Sequence, residues 1–288
     1  MRLSIDVMLD YWVEEAADIL LQVEVAAQHD QRLIEQNLTV WTDAPLRAVP
    51  GEMGVGQRCL TRGSGTFRAE YKAVVAIERA GFDLVELRAT PVRMLPGEVI
   101  SYLLASRYCE ADRFEGFVRD QFPGLDGGKF VAAARDWIVK NIGYQAGTSS
   151  GVTTAMMTFA ERRGVCRDYA HLLCTLARAG GIPARCVSAY APNITPQDFH
   201  AVCEVWLEGG WRLVDATGMA GDADLARVAV GRDATDIAFM TVFGRAHLQA
   251  QRVNVSRIEA GPAATDVNEL SATAIDGQNG PSSTIVNR

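Results

Sequence analysis

The sequence predicts an α+β protein in which an N-terminal antiparallel β-sandwich domain precedes a mixed helix-and-strand domain. Three observations carry that prediction. Apolar and polar residues alternate in short runs through residues 1–110. From Lys129 the apolar residues recur every three or four positions instead. After Pro183 alternating runs return, joined by tight-turn residues. A period of two buries one face of a strand, and a period of three to four buries one stripe of a helix.

In the first region Leu3, Ile5, Val7 and Leu9 read as one strand, and Ile19, Leu21, Val23 and Val25 as another. Leu38–Trp41 and Tyr71–Ile77 continue the series. Asp43-Ala44-Pro45, Val49-Pro50-Gly51 and Arg62-Gly63-Ser64-Gly65 supply turn chemistry between them. Short strands at this spacing suggest a sandwich. Residues 91–128 form a connector, with a short helix from Asp112 to Gln121.

Phe130, Ala133, Ala134, Trp137, Ile138 and Ile142 then mark an amphipathic helix. Thr153-Thr154 can cap a second helix, whose stripe is Ala155, Met156, Phe159 and Ala160. A third runs from Cys166 to Ala179, burying Ala170, Leu173, Cys174, Leu176 and Ala177. Gly180-Gly181 ends it and Pro183 forbids its continuation. Ala184–Tyr190 and Phe199–Leu207 are strands, Glu208-Gly209-Gly210 a hairpin turn, and Trp211–Asp215 the returning strand. Gly218–Gly231 reads as loop with a little helix, and Ala246–Ile258 as a late strand that rejoins a sheet. The composition after Ile258 predicts a flexible tail. The expected division is therefore a β-sandwich domain at 1–110, a second domain at 111–258 and a tail at 259–288.

Composition narrows the function. Of 288 residues, 48% are apolar and 22% charged, which is ordinary for a globular chain, and the net charge is −7. A negative chain without a basic run is a poor partner for nucleic acid or an anionic membrane. The first ten residues alternate apolar with polar and carry acids, so no signal peptide is expected, and no apolar run is long enough to span a bilayer. The six cysteines include no C-x-x-C pair and only four histidines accompany them, so neither a metal site nor a cofactor is expected. We expect reduced thiols and a cytoplasmic protein.

The candidate chemistry centres on Gly164-Val165-Cys166. A thiol is nucleophilic as its thiolate, and a helix N-terminus and a nearby imidazolium both favour that form. Cys166 is placed for the first, and His200 is positioned to supply the second. Gly164 permits a tight turn, and free N–H groups of the first helical turn can bind an oxyanion. On the strand Phe199–Leu207 the even residues share a face. A two-residue turn at Glu208-Gly209 pairs Leu207 with Gly210, hence Val202 with Asp215. That register puts Asp215 on the His200 face, diagonal to it and within reach of a hydrogen bond. Cys166, His200 and Asp215 thus read as nucleophile, base and orienter. Asp168 reads as a first-turn residue favoured by the helix dipole, and His171, Cys174, Cys186 and Cys203 as structural.

These residues carry a resemblance. Ala160–Ala170 around Gly164-Val165-Cys166-Arg167-Asp168-Tyr169, Gly181–Arg185, Phe199–Trp206 and Trp211–Thr217 resemble the catalytic core of the transglutaminase-like superfamily, a papain-related fold. The whole chain is similar to its bacterial branch with an N-terminal β domain, whose members are usually described as cysteine proteases. The family motif has tryptophan two residues after the histidine, where this chain has Val202. The resemblance implies a Cys166–His200–Asp215 triad that hydrolyses amide, peptide or isopeptide bonds of a protein or peptide substrate through an acyl-enzyme. Amine transfer, meaning protein crosslinking, and a non-catalytic binding module are the competing expectations. Tyr144 and Gln145 are the candidates for a second oxyanion donor.

Overall fold

The computed structural model describes residues 1–258 and the backbone of Leu270–Ile275 and Ser283–Asn287. Its first feature is the length of two strands. β1 (Arg2–Leu21) runs antiparallel to almost all of what becomes β4 (Gln57–Ile77), after β2 (Gln31–Trp41) and β3 (Arg47–Pro50). From Arg2 to Leu9 every second residue of β1 is buried. The register shifts between Val13 and Ala17, opposite Gly65 and Gly63. A bulge of this kind bends both strands and raises their twist. A Cβ at Gly63 would come within 3.1 Å of the Phe67 ring, so a larger residue there needs that ring to shift.

The run expected at Leu3–Leu9 and the start of the one expected at Ile19–Val25 are therefore joined through one strand, which ends at Leu21, so Val23 and Val25 lie beyond it. Arg62–Gly65, expected as a turn, lies inside β4 and marks the bend. The bend also divides the sheet: β2 pairs the C-terminal half of β4, and β3 the N-terminal end. After β4 come short 3-10 turns, including Gly97–Leu103, and then α1 (Glu115–Gln121).

The second region begins with α2 (Gly127–Asn141), β5 (Gly143–Tyr144), α3 (Ala155–Glu161) and β6 (Arg163–Gly164). It continues with α4 (Cys166–Ala179), β7 (Ala184–Tyr190), β8 (His200–Leu207) and β9 (Gly210–Val214). Gly181 has φ +77, the left-handed conformation that stops α4. β10 (Ala226–Gly231) corrects the loop expected at Gly218–Gly231: it pairs with β7 and completes a sheet of order β10-β7-β8-β9. Its apolar run is interrupted by Arg227, which hides the strand pattern.

Helix α4 lies against one face of that sheet, burying Leu172, Leu173, Leu176 and Ala177 with Cys186, Cys203 and Val205. The opposite face meets the β domain. There Glu204, fully buried, accepts from Arg185 at 2.7 Å and from Arg227 at 2.6 Å, and Arg227 reaches on to Asp30 at 3.0 Å. After α5 (Ala234–Ile237), β11 (Met240–Val242) and β12 (Ala246–Ile258) hydrogen-bond to β1. So the late strand rejoins the N-terminal sheet, and residues within 111–258 complete it. β13 (Leu270–Ile275) runs parallel to β2, and β14 (Ser283–Asn287) pairs with β13. The rest of the tail expected at 259–288 lies outside the described residues.

Candidate active site

The start of α4 is held from three sides. Val165, the extended residue before the helix, donates its N–H to Asp168 Oδ2 at 2.8 Å, closing the first turn. Asp168 Oδ1 accepts from Ser149 Oγ at 2.9 Å. Arg167 Nη2 donates to Ser149 Oγ at 2.6 Å and Ser150 O at 2.8 Å, so the preceding loop is tied to the same turn. Asp168 is fully buried, and burial pushes its carboxyl above the usual range against these hydrogen bonds. A Cβ at Gly164 would lie 2.7 Å from Asp168 Cβ, so the position before the turn admits only glycine without displacement. The expected first-turn role of Asp168 is thus a built lock around Cys166, the first helical residue.

His200 opens β8 and Asp215 follows β9. The hairpin between them pairs Leu207 with Gly210 and Cys203 with Val214. Glu208 (φ 51) and Gly209 (φ 73) form the two-residue turn, both left-handed as such hairpins require. This is the even register expected from the sequence. It brings Asp215 Oδ2 to 3.0 Å from His200 Nε2, with both residues buried. Asp215 is itself cradled: Oδ1 accepts from the Thr217 N–H at 2.8 Å and hydroxyl at 2.7 Å, and Oδ2 from the Ala220 N–H at 3.0 Å. Burial would raise this carboxyl, but the hydrogen bond and charge of His200 and the Thr217 donors hold it below the ordinary range.

For His200 burial is the largest influence and works downward. The hydrogen bond to Asp215 and the neighbouring Cys166 outweigh it, raising the imidazole from 6.5 to about 9. With Nε2 taken by Asp215, the nitrogen left for the thiol is Nδ1, which has no other hydrogen-bond partner. The Cys166 thiol lies 3.9 Å from the Phe199 carbonyl oxygen, at the mouth of β8, and the residue is half-buried. The structure therefore gathers Cys166, His200 and Asp215 into one place.

Tyr144 is brought there too. β5 and β6 pair in parallel, Tyr144 opposite Gly164, and the Gln145 N–H donates to Gly164 O at 2.9 Å. The Tyr144 phenol is pushed up to about 12 by burial and by the Cys166 thiol, while the Cys166 backbone N–H acts in the other direction. The β5–β6 pair thus sets Tyr144 beside the residues that lead into α4. The Gln145 side chain is exposed, and only its backbone is engaged in this pair. A cleft of about 460 Å³ opens beside Cys166 and His200, lined also by Leu9 and Tyr11 of β1.

Other polar groups are structural. His171 accepts from the Ala234 N–H at 3.0 Å, stacks on Tyr108, and is lowered to about 3 by burial. All six cysteines are free, and among the described residues no group is arranged to hold a metal ion. No helix among them is long and apolar enough to cross a membrane. Sequence reasoning missed Ser149, the Ala220 N–H and the contribution of β1. The Thr217 N–H had a local signal, since an Asp side chain commonly accepts from the backbone N–H two residues on.

Comparison with known proteins follows the same lines. The family model described as the transglutaminase-like superfamily matches residues 115–216. A solved structure from Cytophaga hutchinsonii, named a “putative cysteine protease”, is 30% identical with a TM-score of 0.82, covering 93% of this chain and 95% of its own. An uncharacterized protein of Mycobacterium leprae (strain TN) is 31% identical over 118 residues, which are 38% of this chain and 42% of that protein's length. The periplasmic domain of TgpA from Pseudomonas aeruginosa is 19% identical with a TM-score of 0.41, covering 74% of this chain and 76% of that one.

Proposed function

From this chain's membership of the transglutaminase-like superfamily, we propose that it is a thiol-dependent hydrolase of amide bonds, peptide or isopeptide, acting through a thioester on Cys166. One observation carries the reading: a buried His200 hydrogen-bonded through Nε2 to Asp215, with Nδ1 left for a cysteine at a helix start. The name of the Cytophaga hutchinsonii protein points the same way.

In this scheme the thiol proton is held on His200 Nδ1, whose imidazole stands at about 9, and the sulfur attacks the substrate carbonyl carbon. The carbonyl π pair moves onto oxygen, giving a tetrahedral oxyanion. The Cys166 N–H donates to that oxygen, with the hydroxyl of Tyr144, which β5 sets opposite Gly164, as the second donor; Gln145 is the alternative second donor. As the intermediate collapses, the C–N bond breaks and His200 returns its proton to the leaving amine. A water molecule then attacks the thioester with His200 as base, releasing the acid and restoring the thiol. Asp215 keeps the ring oriented and balances the imidazolium throughout. Reduced thiols keep with a cytoplasmic setting.

Turnover of an acyl-donor library by wild type and Cys166→Ala, with and without an added primary amine, tests this. Hydrolysis by wild type, lost in a Cys166→Ala protein of unchanged Tm, supports the proposal. Activity that survives the substitution contradicts it, and product formed only with the amine assigns the thioester to transfer.

A further inference from the structure

The cleft beside Cys166 is built by both domains. Leu9 and Tyr11 of β1 and Met240 of β11 line it. Phe199 and Phe239 line it as well, their rings stacked with centroids 3.7 Å apart. A volume of about 460 Å³ holds one large side chain with its flanking backbone. No carboxylate lines it, so a cationic substrate side chain finds no counter-charge. Arg167 lines it too, with Nη2 held by Ser149 Oγ and Ser150 O. The Oγ of Ser188, a buried residue that lines the cleft, has no hydrogen-bond partner among the described residues. Buried hydroxyls are normally paired, and a peptide amide is the group such a recess could offer it.

We infer that the site selects donors whose acyl group carries a large apolar side chain, seated against Leu9, Tyr11 and Met240. The β domain is then a specificity element of the site. The inference rests on the proposed acyl chemistry at Cys166, since the acyl group is the part that stays attached beside this cleft.

The test is kcat/KM for N-acetyl-aminoacyl thioesters that share one leaving group and differ only in side chain: glycine, alanine, leucine, phenylalanine, aspartate and lysine. Leucine and phenylalanine donors should exceed glycine by about tenfold or more, the usual worth of apolar contacts in a pocket. Lysine should stand at or below glycine, and aspartate below leucine and phenylalanine. Tyr11→Ala should cut the advantage of phenylalanine over glycine by about tenfold. Because a truncation beside the core can also weaken folding, Met240→Trp serves as the second variant: it fills the cleft and should shift preference toward glycine and alanine, with Tm recorded for both. A flat series, a preference for a charged donor, or a profile unmoved in both variants overturns the inference while leaving thioester chemistry intact. Absence of thiol-dependent turnover with every donor overturns the proposed function instead.

Discussion

Replacing Asp215 by asparagine keeps the shape of the side chain and removes its charge. The consequence falls on His200. Its imidazole stands at about 9 rather than 6.5 although burial pulls it down. A rise of that size corresponds to roughly 3 kcal/mol in favour of the protonated ring. In Asp215→Asn the burial remains and the strongest support is gone, so the His200 pKa should fall by about two units or more. The ring would then be neutral near pH 8, and the rate should drop by about 10²–10⁴-fold, the usual worth of a positioned acid–base group. Titration of the imidazole signals by NMR reads the shift directly, with His200→Gln assigning the signal among the four histidines. The same pair governs stability. A group whose folded pKa lies above its unfolded value stabilises fully below the unfolded one and loses that contribution as pH rises through the folded one. Urea unfolding of the native protein should therefore show stability declining between pH 6.5 and about 9, and the variant should lack that slope. A His200 that still titrates near pH 9 in Asp215→Asn would refute the reasoning.

Other substitutions test the supporting structure. Gly164→Ala should cost about 1–3 kcal/mol in chemical unfolding, because its Cβ would meet Asp168 Cβ at 2.7 Å; no loss would mean the turn can shift. Tyr144→Phe should leave Tm unchanged and lower kcat by about 10²–10³-fold if the phenol is the second oxyanion donor, and equal kinetics would return that role to Gln145. Glu204→Gln, which leaves Arg185 and Arg227 without their shared carboxylate, should destabilise by about 3–5 kcal/mol in thermal or urea unfolding. A near-neutral result would mean that the two guanidiniums find other partners.

How much of this was legible depended on whether the signal was local. α4 was readable because Gly164, Gly181 and Pro183 punctuate it and its apolar spacing is regular. The His200–Asp215 juxtaposition was readable because two turn residues set the register of the whole hairpin. The continuity of β1 was not, because Glu14 and Glu15 sit at its bulge and look like a break, while Gly63 and Gly65 opposite them look like a turn. β10 was masked by Arg227, whose charge is matched by Asp30 in the turn before β2 and by Glu204 of β8. Ala246–Ile258 was readable as a late strand that rejoins a sheet, but β11 and the identity of β1 as the partner were not, because that pairing spans more than 200 residues. For the same reason Leu9 read as core and nothing more; its place beside Cys166 follows only from how the two sheets meet. Tyr144 was a candidate from its loop position alone, and the β5–β6 pair that carries it to Gly164 is too short to leave a periodic trace.

The central claim is that Cys166 forms the acyl-enzyme, and acid quenching of the protein during turnover of a thioester donor tests it most directly. Intact mass followed by peptide mapping should show one acyl group on the peptide containing Cys166, absent in Cys166→Ala. An acyl group found on another residue, or turnover that persists in Cys166→Ala with no covalent species, would contradict the account.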